Sequence, residues 1–377
     1  MHDQQWRSDF RERLGWAELP DSIRHAIWDK AVGPDQVDNN GINLVNFTWS
    51  YTKSVRDEDH IASERGLNYD GDVVVVGSDL GGNNADPGFS RLYVTELDGA
   101  ANASDGWTEN WERAPFYSGA GEDGYVSAEQ GAVDFQGNTY TCGMRSNGKF
   151  NVWKFDGTDG TTIWSTNEAV LNGDNAVAKD IAIDPEGSVY VCGTYTSSTT
   201  NLPSWFLARI NPDNRQLVWL KEPPVPGSPI GGIEFDRKGD LFIGGVAPGS
   251  HLVAKVRAAD GGLQWVKYVN AAIPGISFID SLRLDPDGNA YFASRLGGAD
   301  SGWRVTKWDG ESGDQLWTTT TSDGQVQNME VDNDGNAYVC GSGNGRTYKL
   351  VKYDTDGNEV WVYTTGTTGI ATDVALD

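Results

Sequence analysis

From about residue 60 to the end of the chain, short runs of alternating apolar and polar residues recur, each stopped by a glycine-bearing turn. Four of them align by eye: AVDFQGNTYTCG, AIDPEGSVYVCG, RLDPDGNAYFAS and EVDNDGNAYVCG. Two weaker copies are LNYDGDVVVVGS and IEFDRKGDLFIGG. Period-two alternation broken by D-x-x-G predicts a β-hairpin with a tight turn, at Gly71, Gly137, Gly187, Gly239, Gly288 and Gly335. A third run follows in each unit, as in NVWKFDG, FLARINP, RVTKWDG and KLVKYDTDG. A fourth is centred on tryptophan, as in TTIWST, QLVWLK, LQWVKY, QLWTTT and EVWVYT. One unit therefore reads as four antiparallel strands.

Such a unit cannot bury its faces alone and must stack on copies of itself, which is the logic of a propeller blade. Seven tryptophans mark fourth strands: Trp49, Trp111, Trp164, Trp219, Trp265, Trp317 and Trp361. Seven residues mark the ends of first strands: Asn68, Asp134, Asp184, Asp236, Asp285, Asp332 and Asp377. Only six units are complete; the chain opens with an isolated fourth strand, NFTWSYT, and closes with an isolated first strand, ATDVALD. Joining the two removes the free edges of a ring. The expected fold is all-β, a seven-bladed β-propeller of four-stranded antiparallel blades over residues 35–377. Its seventh blade would be built from both ends of the chain, with residues 36–46 as a third strand. The repeat, D-x-x-G-N-x-Y-V-x-G followed by tryptophan, resembles the β-propeller repeats of the PQQ-like and SBBP families over about residues 43–377. The resemblance implies the fold. It implies little about function, because those families include enzymes, scaffolds and surface proteins.

Residues 1–34 have a different period. Trp6, Phe10 and Leu14 fall on one helical stripe. A second helix fits DSIRHAIWDKAVG, with Asp21 as N-cap, Gly33 at its end and Pro34 beyond. This predicts a short helical extension that packs on the propeller or docks into a neighbouring subunit, since so short an amphipathic helix needs a surface.

The formal charge of −25 disfavours partners with a phosphate backbone and anionic membranes, so neither nucleic acid nor membrane insertion is expected. No run approaches the roughly 18 apolar residues of a membrane span. The start, MHDQQWRSDFRERLGW, has no apolar core of a secretory leader. The chain is therefore expected to stay in the cytoplasm, to leave by a route such as phage assembly and lysis, or to be a recombinant mature domain that begins at an added Met.

The chemical signals are sparse. Cys142, Cys192 and Cys340 share one register in different units. Equivalent positions in separate blades should exceed the roughly 7 Å Cα limit for a disulfide, which predicts three reduced, buried thiols. His2, His25, His60 and His251 have no metal-ligand spacing. DPDGN, DNDGN and DTDGN place glycine too early for an EF-hand loop and read as Asx-stabilised turns, open at most to incidental calcium. GAGEDG at 119–124 matches G-x-G-x-x-G but sits between two units, away from any strand–helix junction. No G-x-S-x-G is present. The PQQ-dependent dehydrogenases of the resembled group are larger and carry a vicinal cysteine pair, which this chain lacks. No catalytic, cofactor-binding or metal-binding residue emerges, and no cofactor is expected.

The repeated tryptophans read as blade-to-blade packing. Trp16, Trp107, Tyr117, Tyr195 and Trp205 lie outside that register, mostly in what read as long loops, where recognition tends to reside. With Trp6, Phe10 and Leu14 they are the candidate contact residues. The expected function is a non-enzymatic structural or adhesive propeller in a larger assembly, a tail or fibre component of a tailed-phage virion. Its expected partners are other protein subunits and a host glycan or surface protein. The alternatives are an exported cell-surface propeller that binds glycan or protein, and a lyase or hydrolase using carboxylates in the central channel.

Overall fold

The computed structural model describes residues 60–67, 73–79, 91–97, 109–113 and 126–377, less short stretches at 135, 146–147, 167–170, 172, 185, 224–227, 248–249, 271–278, 297–301, 372–373, 375 and 377. Within them lie twenty-four strands, β1 (His60–Leu67) to β24 (Glu359–Thr368), and one 3-10 turn, Asn344–Arg346. They form six four-stranded antiparallel meanders: β1–β4, β5–β8, β9–β12, β13–β16, β17–β20 and β21–β24. The described residues divide into two compact units, one ending at Ile233 and the other running from Glu234 to Asp377. The predicted six complete units thus correspond to six sheets. The helical extension over 1–34 and the isolated fourth strand around Trp49 lie outside the described residues.

The five sheets from β5–β8 to β21–β24 are punctuated the same way. At the end of the first strand an aspartate folds the turn onto itself. Asp285 Oδ1 accepts the backbone N–H of Asp287 and Asn289, and its Oδ2 accepts the Asn289 amide and the Tyr291 hydroxyl. Asp332 repeats the pattern with Asp334, Asn336 and Tyr338. Asp134 does so with Gln136, Asn138 and Tyr140. These are Asx turns, so the D-x-D-G-N segments use their carboxylates on their own backbone. Glycine closes each turn because φ is positive there, between 81° and 85° at Gly137, Gly187, Gly239, Gly288 and Gly335.

Across the sheet from that aspartate runs one row of side chains. In β17–β20, Lys307 Nζ lies 3.0 Å from Asp285 and 4.9 Å from the Tyr291 ring centre, and Tyr291 meets Trp317 edge-on at 5.7 Å. The equivalent row in β5–β8 is Asp134, Tyr140, Lys154 and Trp164; in β13–β16 it is Asp236, Phe242, Lys255 and Trp265. The buried lysine is tolerable because a carboxylate and a ring face replace its water. Burial, reinforced by the neighbouring aspartate, pushes the Tyr140, Tyr190 and Tyr291 hydroxyls well above the usual tyrosine range.

The tryptophan then holds the next sheet. Trp111 Nε1 donates to the Gly157 carbonyl at 3.2 Å, Trp164 to Pro212 at 2.7 Å and Trp317 to Thr355 at 2.8 Å. All three acceptors sit in the third-to-fourth-strand turn of the following sheet. Gly160, Gly313 and Gly357 in such turns lie flat on an indole, with no room for a Cβ. The predicted packing role of the repeated tryptophans is what these contacts perform. Between sheets the core is aliphatic and aromatic, as where Trp303 and Val305 meet Val326, Met329, Val339 and Val351.

Candidate functional site

Because the repeat accounts for the Asp–Tyr–Lys–Trp row, function must be sought where equivalent positions differ between sheets. Two regions qualify: the first strands, and the sheet ends opposite the Asx turns.

First strands of successive sheets lie against one another, β1 on β5, β5 on β9, and β17 on β21. Pairing with the second strand shifts register between Ala62 and Glu64, Ala128 and Gln130, Ile279 and Ser281, and Val326 and Asn328, with a matching shift opposite Cys192 and Gly193. A β-bulge takes one residue out of the ladder and re-aims it. Among residues whose side chains are described, those so released are Glu129, Lys179 and Gln327, each five before the repeat residue that ends its strand. Unlike the repeat, they share no chemistry. Glu129 and Lys179 pair at 2.9 Å, and Gln327 Oε1 accepts from Arg295 at 3.4 Å.

Three positions further along, the two units diverge. Ala132 and Ala182 stand there in the first, whereas Glu234, Arg283 and Glu330 stand there in the second. The Arg283 guanidinium bridges both carboxylates, at 3.5 Å to Glu234 and 2.8 Å to Glu330, and donates to the Leu282 carbonyl at 2.8 Å. The ladder staples three first strands together. Both contacts are charge-assisted, with the planar guanidinium placed between the two carboxylates. Sequence reasoning passed over both rows. Their signal was a fixed offset from the repeat aspartate, visible only once bulges are allowed for.

The opposite ends of the sheets carry the second-to-third and fourth-to-first connections. Here Tyr195 and Trp205 correct the sequence reading. Both lie in strands, Tyr195 in β10 (Val189–Ser197) and Trp205 in β11 (Pro203–Ile210), and both are buried, at 6% and 0% exposure. Trp205 is also in repeat register. It stands four residues before the third-strand cation, as do Phe150, His251, Trp303 and Tyr348. Its side chain belongs to the core, where burying a large aromatic face is most favourable. Tyr195 donates to Glu222 Oε2 at 2.6 Å, tying β10 to the exit of β12, and burial with that carboxylate pushes its hydroxyl up to about 12. Trp6, Phe10, Leu14, Trp16, Trp107, Tyr117 and the GAGEDG segment lie outside the described residues.

Cys142, Cys192 and Cys340 are buried with free thiols, and burial raises the first two well above the ordinary thiol range. Such thiols are poor nucleophiles. Among the described residues no group of three or more His, Cys, Asp or Glu side chains converges as a metal site, and no helix is long and apolar enough to cross a membrane.

No protein-family model matches the chain, and no curated protein matches it. Solved structures do. The chain is similar to the Dos1 propeller at 11% identity and a TM-score of 0.54, over 83% of this chain and 74% of that one. It is similar to Saccharomyces cerevisiae Sqt1 at 12% identity and 0.53, over 85% and 88%. The quinohemoprotein alcohol dehydrogenase of Comamonas testosteroni matches at 11% and 0.52, over 83% and 68%. At such identities the likeness concerns the fold alone. Together with the six four-stranded meanders it makes this chain a β-propeller repeat protein.

Proposed function

We propose that the chain is a seven-bladed propeller of the PQQ-like or SBBP repeat kind, serving as a non-enzymatic structural or adhesive component of a larger assembly. The observation that carries this reading is the fate of the polar residues. Repeated aspartates, tyrosines and lysines are committed to turns and buried rows, and the irregular carboxylates Glu129, Glu234 and Glu330 are each paired with a fixed cation. A frame stiffened in this way suits rigid display of loops to partners. The placement in a tailed-phage virion, with subunits and a host glycan or surface protein as partners, rests on the amphipathic pattern of residues 1–34 as a docking piece.

The test is the native mass of the full chain beside one lacking residues 1–34, measured by light scattering across micromolar concentrations. The expected result is a defined oligomer, or incorporation into particles, that the shortened chain loses. A full-length monomer unaffected by the deletion and absent from particles would sink the assembly role.

A further inference from the structure

Where Asn or Asp precedes glycine, the glycine has no side chain to keep its amide nitrogen from attacking the preceding side-chain carbonyl. The attack needs that nitrogen to give up its hydrogen bond and the backbone to swing, which takes local opening. The turns of this chain resist both. The glycine amides of Asp287–Gly288, Asp334–Gly335 and Asp356–Gly357 donate to turn carbonyls at 2.9, 2.9 and 3.0 Å. That of Asp260–Gly261 donates to Arg257 at 2.8 Å. Gly157 and Gly324 are wedged against the carbonyls of Gly137 and Ser342. Gly148, which follows Asn147, donates to Arg145 at 3.0 Å and packs on the backbone of Asn175.

Asn344–Gly345 has neither restraint. It is the tip of the turn between β22 (Ala337–Ser342) and β23 (Thr347–Tyr353). That turn is closed by Gly343 N–H to the Thr347 carbonyl at 2.8 Å and Arg346 N–H to the Gly343 carbonyl at 3.1 Å. Asn344, Gly345 and Arg346 are all exposed. Gly345 has φ 70° and ψ 18°, with nothing within 4 Å of where a Cβ would stand. Among the described residues no acceptor meets its N–H, and no partner holds the Asn344 side-chain amide. By contrast, the amides of Asn289, Asn336 and Asn358 are held by turn aspartates at 3.0, 2.8 and 3.0 Å.

We propose that Asn344 is a self-modification site, where the chain converts its own side-chain amide to a carboxylate through a cyclic imide. The Gly345 nitrogen loses its proton to hydroxide and bonds to Asn344 Cγ; the Cγ–Nδ2 bond breaks and ammonia leaves. Water then opens the ring. Opening at Cγ gives aspartate, and opening at the main-chain carbonyl gives isoaspartate, whose backbone runs through Cβ and Cγ. The sum is amide plus water to carboxylic acid plus ammonia, with no change of oxidation state. Either product adds negative charge to a loop whose Asn344 N–H already donates to Asp323 Oδ2 at 3.3 Å, while Lys349 pairs with Asp323 Oδ1 at 2.7 Å. Isoaspartate also lengthens the backbone inside the closed turn, so it loosens the β22–β23 hairpin at its loop end. The inference does not depend on the assembly role.

Peptide mapping of the full chain after incubation at mildly alkaline pH tests it, with isoaspartate read by enzymatic methylation of its carboxylate. The expected result is a mass gain of one dalton, with isoaspartate, in the peptide carrying Asn344. It should accumulate roughly tenfold faster than in the peptide carrying Asn147, whose glycine amide must first open. The rate should rise with pH, because the attacking nitrogen must lose its proton. Asn344→Gln, which would need a larger ring, and Gly345→Ala should each slow it roughly tenfold. In chain unfolded by denaturant the two sites should react at similar rates. No gain at Asn344 in the folded chain, equal folded rates at Asn344 and Asn147, or a difference that survives unfolding would overturn the inference.

Discussion

The two ends of each sheet are built on different principles. At the Asx-turn end, the same few residue types recur with the same geometry: an aspartate on its own amides, a cation over a ring, a glycine against an indole. At the loop end, equivalent positions hold Phe150, Trp205, His251, Trp303 and Tyr348, and the contacts differ in every sheet. Phe150 stacks on Phe206 at 4.5 Å, Trp303 Nε1 donates to Tyr353, and the Lys349 ammonium lies 4.6 Å from the Trp303 ring centre. The difference teaches where the constraints lie. A turn must satisfy its own backbone, which few side chains can do. The loop end needs only apolar volume, which many residues supply.

The largest test of this contrast is Asp285→Ala. It strips two turn amides of their acceptor and leaves the Lys307 ammonium buried without its carboxylate, at a cost of about 3–5 kcal/mol. Denaturant unfolding should show it, and Asp332→Ala should cost less, because Lys352 is 4.0 Å from Asp332 and more exposed. Equal costs would mean that the ion pair adds nothing to the turn.

At the loop end, His251 should make stability depend on pH. Burial, with Arg304 nearby, lowers it from 6.5 to about 4, so the folded chain holds it neutral while the unfolded chain protonates it first. Its contribution is complete above pH 6.5, falls as pH drops from 6.5 towards 4, and is flat below. The total is about 3 kcal/mol by linkage. His251→Phe, which places there the residue found at Phe150, should remove that component from the stability–pH curve. Parallel curves for the two proteins would refute the assignment.

Two glycines separate the ends at smaller scale. Gly313 has φ 70° and lies on Trp265, so Gly313→Ala adds a clash to backbone strain and should cost about 3 kcal/mol. Gly345 has the same φ with nothing within 4 Å, so Gly345→Ala should cost only about 1 kcal/mol. The smallest effect expected is that of Tyr195→Phe, which removes one hydrogen bond to Glu222 and should lower stability by roughly 1 kcal/mol. A loss of several kcal/mol there would show that the loop end is as tightly specified as the turns.

Much of the frame could be read from residue order. The six units, their strand order and the turn glycines follow from spacing, because a hairpin is closed by neighbours in sequence and its signals are local. The candidate site was less legible. Trp205 looked like a loop aromatic because insertions between strands hide its register, and the bulged row of Glu129, Lys179 and Gln327 broke the alternation that identified strands. Arg283 could be seen as a charge, but not as the bridge between Glu234 and Glu330.

Local order by itself determined the repeat and the chemistry of its turns, since an aspartate two and four residues from the amides it accepts needs no distant partner. The tertiary structure alone decided which tryptophan lies on which glycine, which carboxylates are neutralised, and that Tyr348 faces outward where Trp303 is buried. Those contacts join residues 38 and 46 positions apart in the tryptophan pairs, and the sheets come into register only when packing buries the apolar faces between them.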